Sequence, residues 1–397
     1  MQAQAIGETK SWLVRSSGST VPVLAANLQR ITATSDFGTL VAPYTRSVFQ
    51  SALWLSTWFE TMADPAVESC FWLALEEDDG KPVLALPLVL RRENGLRILS
   101  TPDLGVSDYN PPLLGSPERL AAHSPAALWS AIREALPAAD LLCLERMPPH
   151  LAGIANPLVQ HPLATPQRLS GWVVNLPERW EDYHARLSPS MREKLGRCRR
   201  RFLRQPGTQF RITTDIAEAL EWLKRFDTLQ RERIEDKGRP YILDREPYAG
   251  FYRALARNGL AGGEVVMAAA LAGDELVAVN FTVRDGTTAT YLRVANQFGP
   301  WAPMAPGLLA TEHLMRHLHQ DGVRTFDFAM GDYDYKRRFG AENLPLLSVE
   351  LPLTFRAMPG VLGRRLYARM AASPRLRAWR DRWKRLRGTP AARPVND

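Results

Sequence analysis

The same order of elements occurs twice along this chain of 397 residues. In each half, three predicted strands joined by short turns rich in acid, asparagine and glycine are followed by a loop, a helix and a fourth strand. The three strands lie at residues 69–75, 83–90 and 96–99 in the first half, and at 265–271, 276–283 and 289–293 in the second. Such turns between apolar runs are typical of hairpins. The repeat predicts an α/β (α+β) fold of two similar domains, each a mixed, mostly antiparallel sheet flanked by helices.

The length also allows two domains and a separate tail, since a domain holds roughly 150 residues. A proline-rich connection at residues 148–168 divides the halves. We therefore expect an N-terminal domain at 1–160, a C-terminal domain at 161–355 and a basic helical tail at 356–397. The tail holds twelve Lys or Arg and two Asp, a local charge of +10 out of a total of +8, which leaves −2 for the body.

Cysteine and histidine patterns indicate neither disulfides nor a metal. Cys70, Cys143 and Cys198 are far apart and have no paired spacing. His313 and His317 are four residues apart on a predicted helix, but no acid or cysteine is placed to complete a metal site. We expect no metal. Walker and Gly-x-Ser-x-Gly motifs are also missing from the sequence.

The hydrophobic runs predict a cytoplasmic protein. The longest uncharged strands, at residues 82–90 and 265–273, have nine residues each, whereas a membrane-spanning helix needs about 20. Residues 1–13 contain no continuous apolar stretch of the kind found in a secretory signal. These runs are typical of buried strands.

Residues 326–340 combine a short apolar strand with a crowded polar turn. Asp327 lies within the strand, and Asp332, Tyr335 and Lys336 follow the glycine at which the strand breaks. An acid, a phenol and an amine at a strand end are suited to proton transfer and to stabilising a developing negative charge. The alternative is a charged turn whose groups pair with one another.

A helix start just before this stretch is suited to binding phosphate. Pro306, Gly307 and Leu308 begin a predicted helix that continues to residue 320. Proline in the first turn, with a glycine beside it, leaves backbone N–H groups free to bind a phosphate or pyrophosphate. Asn296 and Gln297, at the start of the preceding loop, are further candidate contacts.

A second candidate for phosphate binding is a predicted helix at residues 191–205, which contains seven Lys or Arg and one Glu. Such a helix could bind the phosphates of a coenzyme or of a nucleic acid. It contains a single aromatic residue, Phe202, so base recognition is not indicated. A solvated basic face is the alternative.

Several of these segments together resemble a known family. Residues 262–341 resemble the acetyltransferase domain of CelD-like proteins, named for cellulose biosynthesis, which are similar to the FemABX aminoacyltransferases and belong to the GNAT superfamily. The matching segments are Asp-Glu-Leu-Val-Ala at 274–278, Pro-Gly-Leu-Leu at 306–309, Phe-Asp-Phe at 326–328 and the Gly-Asp…Tyr-Lys-x-x-Phe-Gly motif at 331–340. A weaker resemblance extends over residues 45–355.

The resemblance implies two tandem GNAT-like domains and transfer of an acyl group from acyl-coenzyme A to an amine or hydroxyl. It implies that Lys336 stabilises the transition state, and that Asp327, Asp332 and Tyr335 orient the lysine or move protons. The usual GNAT pyrophosphate loop is missing before Pro306, so the coenzyme contacts are expected at the helix start instead.

The first half and the long helix contribute candidate substrate contacts. Asp108, Tyr109 and Arg233 lie in segments that also look like the family. The implied acceptor is a small molecule or a glycan precursor of envelope or exopolysaccharide metabolism, and no DNA partner is expected.

Two alternatives remain at this point. The donor could be an aminoacyl-tRNA, as in the FemABX proteins, with the basic helix at 191–205 binding the tRNA. The chain could also be a non-catalytic accessory of a polysaccharide-synthesis complex. Residues 375–387 of the tail have an apolar stripe among arginines, which suits either packing on the body or peripheral contact with an anionic membrane.

Overall fold

The computed structural model describes residues 10–14, 23–64, 66, 68–235 and 241–372. The strands are β1 Lys10–Val14, β2 Leu24–Arg30, β3 Ser69–Glu77, β4 Pro82–Glu93, β5 Leu96–Ser100, β6 Leu113–Leu114, β7 Leu141–Met147, β8 His150–Leu151, β9 Ile154–Ala155, β10 Ala164–Pro166, β11 Gly171–Asn175, β12 Thr208–Thr213, β13 Val265–Ala272, β14 Glu275–Asp285, β15 Thr288–Asn296, β16 Thr325–Met330, β17 Glu342–Leu344 and β18 Leu347–Pro352. The α-helices are α1 Phe37–Val41, α2 Ala52–Thr61, α3 Pro117–Ala122, α4 Pro125–Ala135, α5 Trp180–Arg186, α6 Pro189–Phe202, α7 Ile216–Glu235, α8 Glu246–Gly259, α9 Pro306–Gln320, α10 Asp334–Arg338 and α11 Met358–Ala372.

Two sheets have the same plan. Within the described residues, the first has the order β1-β2-β3-β4-β5-β7-β18-β10, with β6 beside β4, and the second has the order β12-β13-β14-β15-β16-β11-β17. In each sheet two successive hairpins precede a helical crossover, and the strand after the crossover pairs in parallel with the strand before it. These parallel pairs are β5 with β7 and β15 with β16. The predicted fold class, two mixed and mostly antiparallel sheets flanked by helices, is confirmed.

Capping residues set the ends of the helices near the second sheet. Helix α9 runs from Pro306 to Gln320 as predicted. Helix α6 begins two residues before the predicted basic helix because the Ser188 hydroxyl accepts the N–H of Met191 at 3.2 Å, and Pro189 occupies the first turn. The helix ends at Phe202, before the prediction, and the chain turns at Gly207, whose φ is +69°.

Two strands from the predicted C-terminal domain belong to the first sheet. Strands β10 and β18 lie within residues 161–355, yet they pair with each other and, through β18, with β7 of the first sheet. Val349 and Leu351 of β18 are buried in the core of that sheet. The physical reason is that an apolar edge strand pairs with whichever edge is open next to it, and chain order does not specify that edge.

One hydrophobic core is shared by the two halves. Helices α2 and α8 pack together, and Trp54 of α2 is fully buried with its ring 4.9 Å from that of Phe251 of α8. The Trp54 indole N–H donates to the Ser107 hydroxyl at 3.1 Å. A Cβ on Gly259 would lie 2.5 Å from a methyl of Leu53, so this helix crossing requires glycine. The two halves therefore unfold as one unit if this core is lost.

We expect Trp54→Ala to lower the free energy of unfolding by about 3–5 kcal/mol, because it removes a fully buried ring and its hydrogen bond. Denaturant unfolding followed by circular dichroism measures this, and the loss should appear in a single transition that includes both halves. Phe355→Ala is the matched control, since Phe355 is 85% exposed and should change stability by no more than about 0.5 kcal/mol. Two separate transitions in the wild type would contradict a shared core.

Candidate active site

The strand β16 ends in a backbone turn with unusual dihedral angles. Ala329 has φ +60° and Gly331 has φ +105°, and a non-glycine residue with positive φ is uncommon and costs free energy. Helix α10 begins three residues after Gly331, at Asp334. The surrounding contacts therefore hold this turn, and it lies inside the stretch at residues 326–340 that the sequence singled out.

Asp327 is a buried carboxylate that joins the two halves. Its Oδ1 accepts the Tyr109 hydroxyl at 2.8 Å and the Ala329 N–H at 2.7 Å. Burial raises the pKa of Asp327 to about 7, although both hydrogen bonds and the charge of Lys336 oppose the rise. A carboxyl with this pKa holds or releases a proton near neutral pH.

Tyr109 reaches Asp327 because strand β11 has a glycine where it passes. A Cβ on Gly171 would lie 2.1 Å from the Tyr109 hydroxyl oxygen, so any other residue there would displace the ring. Burial and the neighbouring carboxylates Asp327 and Asp108 raise the pKa of Tyr109 well above its ordinary value. The phenol therefore stays protonated and donates its hydrogen bond.

Asp108, beside Tyr109, makes a second bridge to the same turn. Its Oδ2 accepts the N–H of Met330 at 3.1 Å. Burial raises the pKa of Asp108, opposed by that hydrogen bond and by the charge of Lys336. The loop predicted to bind substrate therefore lies against the end of β16.

Lys336 is buried beneath the turn, with 2% of its surface exposed. Its Nζ donates to the carbonyl oxygens of Ala329 at 3.1 Å and Met330 at 2.7 Å. Burial lowers the pKa of Lys336 to about 8, and the nearby carboxylates oppose this shift. The Tyr333 ring, with its centroid 5.5 Å from Nζ, covers the amine on the solvent side and is itself 51% exposed.

Asp332 and Tyr335 are close in sequence to this cluster and have other contacts. The Asp332 side chain is 65% exposed and pairs with Arg337, and its contribution to Lys336 is electrostatic. The Tyr335 ring lies 5.9 Å from the Phe328 ring, edge to face, in the second core. The structure thus brings together Asp108, Tyr109, Asp327 and Lys336. The catalytic roles of all the predicted residues stay predictions.

The parallel strands β15 and β16 stop pairing after Asp327 and separate, and this gap between them is called the fork. Their described pairing covers only Thr288–Thr290 with Thr325–Asp327, although β15 continues to Asn296. Asp327 is the last paired residue of β16. A bulge at Leu292, where the register with β14 shifts, bends β15 at the same level. The two strands therefore separate beyond Asp327.

The predicted coenzyme contacts lie at the β15 side of this fork. The Asn296 side chain is adjacent to the start of α9, since a Cβ on Gly307 would lie 3.0 Å from Asn296 Oδ1. Pro306 occupies the first turn of α9, and Leu308 packs against the second core. Gln297 is less available, because its side chain donates to the carbonyl of Leu276 at 2.9 Å.

Sequence reasoning missed Arg293. This residue follows the bulge on β15 and is 7% exposed. Its guanidinium donates to Asp227 at 2.6 Å and to Gln230 and Tyr241 at 2.8 Å each. The ring of Tyr252 lies 4.7 Å from it, and burial raises the pKa of Tyr252 while the charge of Arg293 opposes the rise. An arginine within an otherwise apolar strand was the available signal.

Two other sequence predictions concern residues beyond this cluster. The side chain of Arg233 lies outside the described residues, so its predicted substrate contact stays a prediction. No group of three potential metal-binding side chains occurs in the part of the chain that the structure describes. His313 stacks on Phe210 with ring centroids 5.4 Å apart, and His317 lies 3.6 Å from Asp321.

A protein family matches part of the second half of the chain. Residues 189–337, from α6 to α10, match the family described as acetyltransferase (GNAT) domain. The match covers less than half of the chain. The fork, helix α9 and the acidic strand β16 lie within the matched segment, and the match supports an acyltransferase. A search of the curated proteins found no match.

Solved structures resemble nearly the whole chain at low identity. The crystal structure of FemX has a TM-score of 0.55 and 12% identity, and the likeness covers 81% of this chain and 96% of FemX. The C-terminal domain of a putative lysylphosphatidylglycerol synthetase from Agrobacterium fabrum has a TM-score of 0.48 and 11% identity, covering 80% and 92%. A tandem GNAT protein from the clavulanic acid pathway has a TM-score of 0.43 and 12% identity, covering 83% and 99%. The likeness to FemX shows a shared fold alone. The particular resemblance to CelD-like proteins stays a prediction.

The raised pKa of Asp327 predicts a pH dependence of stability. Between the ordinary carboxyl pKa of 3.8 and about 7 the folded state holds a proton that the unfolded state has released, so stability falls as pH rises through this window. Asp327→Asn removes the titration, while the amide oxygen still accepts both hydrogen bonds. We expect the free energy of unfolding of the wild type, relative to Asp327→Asn, to decrease from pH 4 to 7, measured by urea unfolding.

The titration of Lys336 does not change the pH dependence of stability between pH 4 and 7. Its pKa of about 8 lies below the ordinary 10.5, so its titration raises stability only between those two values. Asp332→Asn, which alters an exposed carboxylate, is the control and should keep the wild-type pH profile. Equal pH profiles for the wild type and Asp327→Asn would show that the buried carboxyl titrates normally.

Proposed function

We propose that the protein is an acyltransferase that moves an acetyl or other acyl group from acyl-coenzyme A to an amine or hydroxyl acceptor. The observation that carries this proposal is the fork between β15 and β16 in the segment that matches the GNAT family, with Asp327 at the last paired position. The thioester enters between the separated strands, where a backbone N–H of β15 stabilises the oxyanion that forms during acyl transfer.

Asp327 acts as the general base in this proposal. A base is most effective when its pKa is close to the working pH, and the pKa of Asp327 is about 7. The acceptor N–H or O–H loses its proton to the carboxylate as its lone pair attacks the thioester carbon. When the tetrahedral intermediate collapses, the C–S bond breaks, and the thiolate takes the proton back from the Asp327 carboxyl and becomes the thiol of coenzyme A. Tyr109 holds the carboxylate in place through its 2.8 Å hydrogen bond.

Lys336 supplies a positive charge next to the buried carboxylates of the site. Its ammonium charge lowers the pKa values of Asp108 and Asp327, and its bonds to two carbonyls fix the turn after β16. An ammonium has three N–H donors, so one remains for a substrate once Tyr333 moves aside. Direct stabilisation of the transition state by Lys336 is part of the proposal and rests on the family resemblance.

The donor phosphates are assigned to the start of α9. Gly307 and Leu308 supply backbone N–H groups, Pro306 favours the first helical turn, and the helix adds the positive end of its dipole. Asn296 lies beside Gly307. The acceptor enters on the side of Asp108, Tyr109 and Arg293. A glycan precursor of envelope or exopolysaccharide metabolism is proposed as the acceptor from the CelD-like resemblance, which favours a cytoplasmic enzyme.

One observation favours aminoacyl-tRNA as a second candidate donor. Helix α6 buries the apolar face containing Met191, Leu195 and Phe202, and Arg197, Arg200 and other basic residues lie on its exposed face. A basic helix face of this kind is suited to an RNA backbone. Tight tRNA binding that weakens steeply with salt, without any effect of acyl-coenzyme A, would favour this donor.

Acetyl-coenzyme A should raise the melting temperature of the wild type, since a ligand at 100 times its Kd adds about 2.7 kcal/mol to stability. Gly307→Glu should abolish this rise, because the new carboxylate repels the phosphates at the helix start. An acid is favourable in the first turn of a helix, so this variant should still fold. Gly307→Ala is the matched control and should retain most of the shift. Differential scanning fluorimetry measures both. A wild type that no acyl-coenzyme A stabilises would contradict the donor assignment.

Asp327→Asn should lower turnover by a factor of about 10² or more, since it removes the general base. The release of coenzyme A thiol, measured with a panel of amino sugars and sugar hydroxyls as acceptors, reports this loss. The acetyl-coenzyme A stabilisation should persist, which separates chemistry from donor binding. Lys336→Met should also lower turnover. It should reduce the free energy of unfolding by about 1–3 kcal/mol, because two carbonyl groups lose their donor.

Asp78→Asn, which alters an exposed acid in the turn between β3 and β4, is the control for both substitutions and should keep near wild-type turnover. If cells with Asp327→Asn and Lys336→Met behave as wild type, the chain serves as a non-catalytic accessory, and the catalytic proposal is wrong.

A further inference from the structure

Helix α11 has an exposed apolar stripe. Phe355, in the turn before the helix, is 85% exposed, and Met358, Leu362 and Leu366 are 41%, 63% and 62% exposed. These positions are spaced by three, four and four residues, which places them on one face of a helix. Single exposed apolar residues are common on protein surfaces, but a continuous stripe of large ones marks an interaction surface.

The opposite face of α11 is fixed on the first sheet. Ala357 and Val361 are 1% and 2% exposed and pack against Leu141 of β7. The Arg364 guanidinium pairs with Glu350 of β18 at 2.7 Å, and Arg365 donates to the Glu350 carbonyl at 3.1 Å. Because these contacts set the rotation of the helix, the stripe faces away from the body.

The surroundings of the stripe are strongly basic. The segment at residues 353–372 contains four arginines and no acid, and residues 373–397 add eight Lys or Arg and two Asp. A net charge of +10 from residue 356 onward therefore accompanies four exposed apolar side chains. A helix with apolar residues on one side and arginines around them is suited to lie in the interface of an anionic bilayer.

We propose that α11 docks this protein on anionic phospholipid membranes, with the stripe inserted between the lipid headgroups. Net charge distinguishes the candidates that could cover the stripe. The C-terminal residues 373–397 and a second copy of α11 both carry net positive charge, so either would repel the helix that it covers. Anionic lipid attracts both the helix and the residues that follow it, by about 1 kcal/mol per Lys or Arg near the surface.

The docking is peripheral. In the described part of the chain no helix is long and apolar enough to cross a membrane. The contacts of α11 include β5, β7 and β18 of the first sheet and the carbonyl of Leu163. Among the described contacts, none involves Asp108, Tyr109, Asp327 or Lys336. The proposal therefore stands or falls separately from the acyltransferase proposal.

Co-sedimentation of the full chain with vesicles tests the proposal. The wild type should bind vesicles of phosphatidylcholine mixed with phosphatidylglycerol, and binding should weaken with added salt and be absent with pure phosphatidylcholine. The double variant Leu362→Gln/Leu366→Gln keeps every arginine and should bind the anionic vesicles at least roughly tenfold more weakly, because it removes half of the inserted stripe.

Leu203→Gln is the matched control. Leu203 is 51% exposed and follows the basic helix α6, so the same substitution there should leave vesicle binding unchanged. Equal binding of the wild type and the double variant would overturn the proposal, and so would a wild type that does not bind anionic vesicles. Sedimentation velocity adds a third test, because dimers of the wild type that the double variant abolishes would assign the stripe to a second copy.

Discussion

The hydrogen bond from Tyr109 to Asp327 is the contact on which the candidate site depends. It joins a loop of the first half to a strand of the second half at 2.8 Å, and it passes over Gly171, where a Cβ would collide with the phenol. A buried carboxylate without such a donor would be costly. The site therefore exists only where the two halves are packed together, and neither sheet alone contains it.

The buried lysine and carboxylates change one another's pKa values. Burial raises the pKa of Asp327 to about 7 and lowers that of Lys336 to about 8, so the two groups titrate within a narrow range near neutrality. Carboxylates favour the charged lysine, and the lysine favours charged carboxylates. Lys336 also holds the carbonyls of Ala329 and Met330, and this explains how Ala329 keeps its positive φ. A change in any one of these groups alters the others.

The same packing gives the two sheets different roles. The second sheet has the fork, the start of α9 and the acidic strand, and it belongs to the segment that matches the GNAT family. The first sheet has the same strand plan but contributes Asp108 and Tyr109 from a loop, and it accepts β18 from the second half as an added strand. It also carries α11, whose apolar stripe points away from both sheets. The two proposals thus assign chemistry to one copy of the repeated fold, and positioning and docking to the other.

The sequence by itself determined the local elements, the repeated strand order and the segment around Lys336. Hairpin turns, the Pro-Gly helix start and the Phe-Asp-Phe strand are local signals, because they depend on backbone preferences and on alternation within a few residues. The fold class and the limits of α9 followed from them. Tertiary structure alone decided which of the acids in residues 326–340 is buried, because burial depends on neighbours distant in sequence. Asp327 faces Tyr109, whereas Asp332 faces solvent. Only the packed structure placed β18 in the first sheet and Arg293 among Asp227, Gln230 and Tyr241. Such contacts form when two apolar surfaces meet, and no local pattern records which surface is the partner.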